Sequence, residues 1–179
     1  VQPVLEVARD QDIYFFPTHE GGGKMDRLEI QSTLKDCEFF DEFGAQDLGN
    51  IADLCRVTVY PAGAYVFRQG DFGETLYIIV DGRVALERSI DLGVRTGSVV
   101  IKMLGKGKLF GCWSALLDDP QDFMSSAVCE KNTTVLVLNG KDVRTMMNQD
   151  AEFGFKMLER LCFLLRDRIQ WAYGAMEKI

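Results

Sequence analysis

The sequence predicts a mainly β domain flanked by helices: a sandwich or barrel of short strands, preceded by short helices and followed by two more. Three observations carry this. Between Cys55 and Leu138, β-branched and aromatic runs are separated by Gly and Asp, the texture of closely spaced strands. On either side of that stretch apolar residues return at helical steps of three and four. The chain of 179 residues is 47% hydrophobic and 26% charged, the composition of one ordinary globular domain. A chain of this length buries roughly two thirds of its unfolded surface, so its core needs neither disulfide nor metal.

The elements follow in order. Residues 1–24 hold two of the four prolines, the Tyr14, Phe15, Phe16 cluster and the Gly21–Gly23 linker, and read as an N-terminal extension; 25–179 read as the domain. From 26 to 54 the apolar spacing (Leu28, Ile30, Leu34, then Phe39, Phe40, Phe43, then Leu48, Ile51, Leu54) predicts two or three short helices broken at Gly44 and Gly49. The β region, 55–138, contains strands at Val57–Tyr60, Tyr65–Arg68, Thr75–Val80, Arg83–Ser89, Ser98–Leu104, Ser126–Glu130 and Thr133–Leu138. Pro61-Ala-Gly63 and Asp81-Gly82 read as turns, the second being the strongest short hairpin signal available. From 141 to 176 a short helix (Lys141–Asn148) precedes a long one (Ala151–Met176), entered through Asn139 and Gly140. In the long helix Leu158, Cys162, Leu165, Ile169, Ala172 and Met176 alternate steps of four and three, the seam of a coiled coil, which predicts a homodimer through that helix.

Composition narrows function. With 27 acidic against 20 basic side chains the formal charge is −7, which argues against a nucleic-acid binder. The odd, scattered cysteines (Cys37, Cys55, Cys112, Cys129, Cys162) form no C-x-x-C pair and indicate a reducing, cytoplasmic compartment. No apolar run is long enough to span a membrane. The one histidine, His19, lies in the extension, which removes most catalytic-triad and metal-hydrolase schemes; no enzyme and no metal are expected.

Three glycine-anchored blocks occur in order: Tyr60-Pro-Ala-Gly63-Ala-Tyr-Val-Phe-Arg-Gln-Gly70-Asp, then Leu76-Tyr-Ile-Ile-Val-Asp-Gly82-Arg-Val, then Leu109-Phe-Gly111 followed by Trp113-Ser-Ala-Leu-Leu117. From about Leu34 to Ile169 the chain resembles the cyclic-nucleotide-binding domain of catabolite activator proteins, protein kinase A regulatory subunits and cyclic-nucleotide-gated channels. The resemblance implies a double-stranded β-helix, a jelly-roll-like β-roll, with N-terminal helices and two C-terminal helices. Gly63, Gly70 and Gly82 then mark its sharp breaks. It also implies a phosphate-binding cassette in which Gly111 allows close backbone approach and the N–H groups of a short Trp113–Leu117 helix face the ligand.

The cassette departs from the family's pattern. Members that bind cyclic nucleotides follow Phe-Gly with a Glu for the ribose hydroxyl, and about a dozen residues later carry an Arg for the phosphate. Here Cys112 replaces the Glu and Met124 the Arg, and no Lys or Arg occurs from Cys112 through Glu130, where Asp118, Asp119, Asp122 and Glu130 are acidic. Losing one partner of a buried charge pair costs about 2–5 kcal/mol, and a charge-assisted ribose contact about 1.5–3 kcal/mol more. Even the lower values weaken a micromolar site by about two to three decades.

Three expectations stay open. Cyclic AMP or cyclic GMP binds through Gly111, Ser114, Ser125 and Ser126, with Lys131 or Arg144 reaching in. Alternatively Cys112, Trp113, Phe123 and Met124 form an apolar pocket for an aromatic acid or a haem-like cofactor. In the third, Met124 and Trp113 fill the old pocket as core, and the module acts without ligand on a protein partner. Transcription-factor relatives carry a helix-turn-helix after the long helix; the sequence stops three residues past Met176, so DNA binding is not expected. In the family the C-terminal helices close over the pocket as a lid, which makes Phe163, Leu164 and Trp171 the lid candidates, with Phe153 and Phe155 at its base.

Overall fold

A computed structural model describes residues 25–176 except 92, 94, 95, 112, 118 and 120. The extension with His19, and Cys112 and Asp118 of the cassette, lie outside the described residues, as do the side chains of Trp171, Ala172 and Met176.

Helix α1 (Arg27–Lys35) starts with a reciprocal cap: the Asp26 side chain accepts from the Glu29 N–H, and the Glu29 carboxylate accepts from the Asp26 N–H. Helix α2 (Ala45–Leu54) runs straight through Gly49, which lies beneath the Arg27 guanidinium and is no break. The strands are β1 (Arg56–Tyr60), β2 (Tyr65–Phe67), β3 (Phe72–Gly73), β4 (Thr75–Asp81), β5 (Val84–Asp91), β6 (Thr96–Leu104), β7 (Leu109–Gly111), β8 (Gln121–Asp122), β9 (Ser126–Cys129) and β10 (Thr133–Asn139). A 3-10 turn (Trp113–Leu117) follows β7, and α3 (Gly140–Gln149) and α4 (Ala151–Met176) close the chain. One sheet runs β1-β10-β4-β7, a second β2-β9-β5-β6, and β3 with β8 makes a two-residue ribbon. This is the β-roll with its N-terminal and C-terminal helices.

The turns at Pro61-Ala-Gly63 and Asp81-Gly82 are not hairpins. At each the chain changes sheet: β1 pairs with β10 and β2 with β9, while β4 pairs with β10 and β7 and β5 with β6 and β9. A local turn signal reports that the chain reverses, not which strand it will pair with. Gly82 has φ +115°, and a Cβ there would strike Thr133 at the start of β10.

Alternation places the core on both faces of the first sheet. Leu76, Ile78, Leu109, Leu136 and Leu138 face the helices, where they meet Leu34, Phe40, Ile51, Met157 and Leu161. Tyr77, Ile79, Phe110 and Val135 face the roll interior with Phe67, Phe123 and Ala127. Burial on both sides explains why these strands read as unbroken apolar runs.

Candidate functional site

The cassette connects β7 to β9. Gly111 has φ +113°, and a Cβ would collide with the Thr75 carbonyl of β4, so this glycine serves the close approach of two strands. The following helix is only a five-residue 3-10 turn, too short to build a strong dipole end. Ser114 within it is buried. The Arg144 guanidinium donates to the Leu116 carbonyl at 3.2 Å, tying α3 to the turn.

Phe123 decides the interior. Its N–H donates to the Asp71 carbonyl at 2.8 Å and its carbonyl accepts the Gly70 N–H at 2.9 Å. Its ring stacks on Phe67 with centroids 3.7 Å apart and planes 8° from parallel. What remains is a cleft of about 110 Å³ bordered by Gly111, Trp113, Ser114, Met124, Ser125 and, from α4, Arg168. Arg168 is half-buried, and desolvation lowers its pKa.

Helix α4 is fastened independently of this cleft. Asp150 Oδ1 accepts from the Glu152 and Phe153 N–H groups at 2.9 and 3.0 Å and so caps the helix. Phe153, Met157 and Leu161 are buried, and Phe153 meets Phe43 edge to face at 5.6 Å. Arg160 donates to the Phe39 carbonyl at 3.1 Å and to the Glu38 carbonyl, and lies 3.0 Å from Asp41 and 3.5 Å from Glu42. Beside it a second cleft, of about 170 Å³, opens between α4 and the strand β5 to β7 region.

The sequence profile described as Cyclic nucleotide-binding domain matches residues 57–150. The chain belongs to that family. It is 35% identical over 116 residues to the Cyclic AMP receptor protein of Thermus thermophilus, covering 65% of this chain and 51% of that protein. It is 33% identical over 85 residues to the cAMP-dependent protein kinase regulatory subunit of Schizosaccharomyces pombe, covering 48% and 19%. The chain thus spans about half of the first relative and a fifth of the second. Among solved structures, the Thermus thermophilus Catabolite Activator Protein superposes with a TM-score of 0.65 at 27% identity, covering 78% of this chain and 61% of that one. A cyclic nucleotide-binding domain from Methylobacillus flagellatus does so with a TM-score of 0.72 at 23% identity, covering 86% and 84%, and shows the shared fold. By name, one of these relatives is a regulatory subunit and another an activator protein.

Within this cyclic nucleotide-binding domain, Gly111, Trp113, Ser114, Met124 and Ser125 do border one cleft, and Ser126 does not. Ser126 Oγ instead accepts the Gln69 N–H at 2.9 Å. Met124 is 73% exposed, so it is not core fill; that position belongs to Phe123, one residue earlier. A single step reverses the face of an extended segment, so of the two neighbours named as pocket walls Phe123 turns inward and Met124 faces solvent. Trp113 is half-buried and packs toward the helical core. Lys131 is exposed and borders neither cleft, and Arg144 is held by the 3-10 turn; the cation at the cleft is Arg168. Of the lid candidates, Phe163 and Leu164 border the second cleft, Phe153 is core and Phe155 is exposed. Among the described residues no three His, Cys, Asp or Glu side chains gather as a metal site, and no helix is long and apolar enough to cross a membrane.

Proposed function

We propose that this chain is a non-enzymatic regulatory module whose degenerate cassette does not hold cyclic AMP or cyclic GMP tightly. Its output surface is α4, which joins two copies of the chain and presents a face to a protein partner. The observation that carries this reading is the Phe123 ring stacked on Phe67 inside a cleft to which the cassette contributes no cation. A phosphate entering there would meet Asp122, and the Ser126 oxygen already serves Gln69. The Arg160 contacts hold α4 against the domain without a ligand.

The dimer reading is supported by the exposed face of α4. Leu158 is 38% and Ile169 56% exposed, Cys162 is exposed and Leu165 half-buried. Phe155, 67% exposed, extends the same heptad spacing by one step. The fully buried α4 residues (Phe153, Met157, Leu161) lie on a different stripe, and of the seam residues Leu165 also packs against the domain's own core.

Calorimetric titration of ligand-stripped protein with cyclic AMP and cyclic GMP tests the cassette: no saturation below about 1 mM is expected. Saturation in the low micromolar range would restore a cyclic-nucleotide sensor. Sedimentation velocity tests the seam. The wild-type chain is expected as a dimer and Ile169→Asp as a monomer; a monomeric wild type removes the dimer.

A further inference from the structure

The two clefts meet at Leu86 and Arg168, which border both, but their charge differs. The cassette cleft has Asp122 against Arg168. The α4 cleft has Lys102, Lys108, Arg160 and Arg168 against Glu38 and Asp167, an excess of cations in a chain whose formal charge is −7. Most of these ions are engaged. Lys108 pairs with Glu38, Arg160 with Asp41 and Glu42, and Asp167 accepts the Arg166 guanidinium at 2.7 Å. Among the described residues Arg168 has neither a hydrogen bond nor an ion pair, and burial alone acts on its pKa. A guanidinium drawn partly out of water with no counter-ion is poised to gain by meeting an anion.

The rest of the cleft sets the shape of that anion. Leu86, Leu104, Leu109 and Leu164 supply its apolar walls, and its volume is about 170 Å³. An apolar cavity of about 150 Å³ admits one benzene ring. The space therefore suits a single ring bearing an acid.

We propose that the cleft between α4 and the β5 to β7 region is a binding site for an aromatic monocarboxylate, its ring on the leucine walls and its carboxylate on Arg168. The site lies outside the phosphate cassette and uses a cation from the output helix, so occupancy would add to the contacts that hold α4 in place. It stands apart from the reading of the cassette as weak for cyclic nucleotides.

Ligand-observed NMR titration of the full chain with phenylacetate tests it, with phenylacetamide as the neutral isostere. Phenylacetate is expected to saturate with a Kd on the order of 1 mM or tighter. Arg168→Gln is expected to weaken it about tenfold to a hundredfold and Arg168→Lys by less, since lysine keeps the charge without the bidentate fork. Because Arg168 has no partner among the described residues, Arg168→Gln is expected to melt at the wild-type temperature. Equal binding of the amide, unchanged affinity in Arg168→Gln, or no saturation at about 20 mM, well above that expected Kd, would each overturn the proposal. Cyclic AMP at about 1 mM serves as competitor, a level the cassette reading places below saturation. Because Arg168 borders both clefts, Met124→Ala, at a residue that borders the cassette cleft alone, separates them: weakened phenylacetate binding in that variant would move its site to the cassette and overturn the assignment. Saturable cyclic AMP binding without displacement would instead contradict only the reading of the cassette.

Discussion

The cassette cleft and the root of α4 sit on neighbouring faces of the same roll, and they satisfy their polar groups in opposite ways. At the root of α4, Arg160 is 84% buried at its side chain (16% exposed) and is matched by two backbone carbonyls and two carboxylates. At the cassette the turn is short, Gln121, Asp122 and Met124 are exposed, and Arg168 arrives from another element with no partner among the described residues. The contrast teaches where this domain's rigidity resides. At its root α4 meets the domain through its own paired side chains, whereas the cassette combines core residues, Ala115, Leu116 and Phe123, with the exposed Asp122 and Met124.

Substitutions along this contrast separate the two regions. The largest effect is expected from Phe153→Ala, which removes a buried ring from between α4 and Phe43; a loss of about 3–5 kcal/mol in denaturant unfolding is expected. Arg160→Ala comes next, at about 1.5–3 kcal/mol, because it leaves the Glu38 and Phe39 carbonyls without a donor. If either cost less than a surface substitution, α4 would not be fastened as described.

Alkaline pH gives a smaller, graded effect. Burial pushes the Cys37 thiol from 9.0 up to about 11 and the Cys55 thiol to about 12. A raised acid pKa favours the neutral form in the folded chain, so this stability is present below pH 9.0 and declines as pH rises from there through about 11. The melting temperature is expected to fall between those values, less steeply in Cys37→Ala. A flat profile would contradict the burial of these thiols. The smallest effect is expected from Met124→Ala, within about 0.5 kcal/mol, because the side chain is 73% exposed. A large loss there would return Met124 to the core and break the contrast from the cassette side.

Much of this fold was legible in the sequence because it is written in local periodicity. The α4 heptad, its start at Ala151 and the order of the glycine-anchored blocks depend only on neighbouring residues. The pairing of strands does not. Asp81-Gly82 has a hairpin's chemistry, but β4 pairs with β7 and β10 and β5 with β6 and β9 rather than with each other, and only the jelly-roll closure decides that. The ribbon of β3 and β8 is two residues long on each side, too short for alternation to register. The site was legible in its missing charges and obscure in its geometry. Filling the pocket with Met124 was an error in face by one residue, since Phe123 takes the interior place, and Arg168 borders the same clefts as Leu86 only because α4 folds back across the roll.

Hydrogen exchange along α4, with and without about 1 mM cyclic AMP, tests most directly whether the helix is docked by the protein's own contacts. Residues 153–161 are expected to be protected to the level of β4 in the free protein and unchanged by the nucleotide. Rapid exchange in the free protein, slowed when cyclic AMP is added, would contradict the account and place the docking of α4 under the control of the cassette.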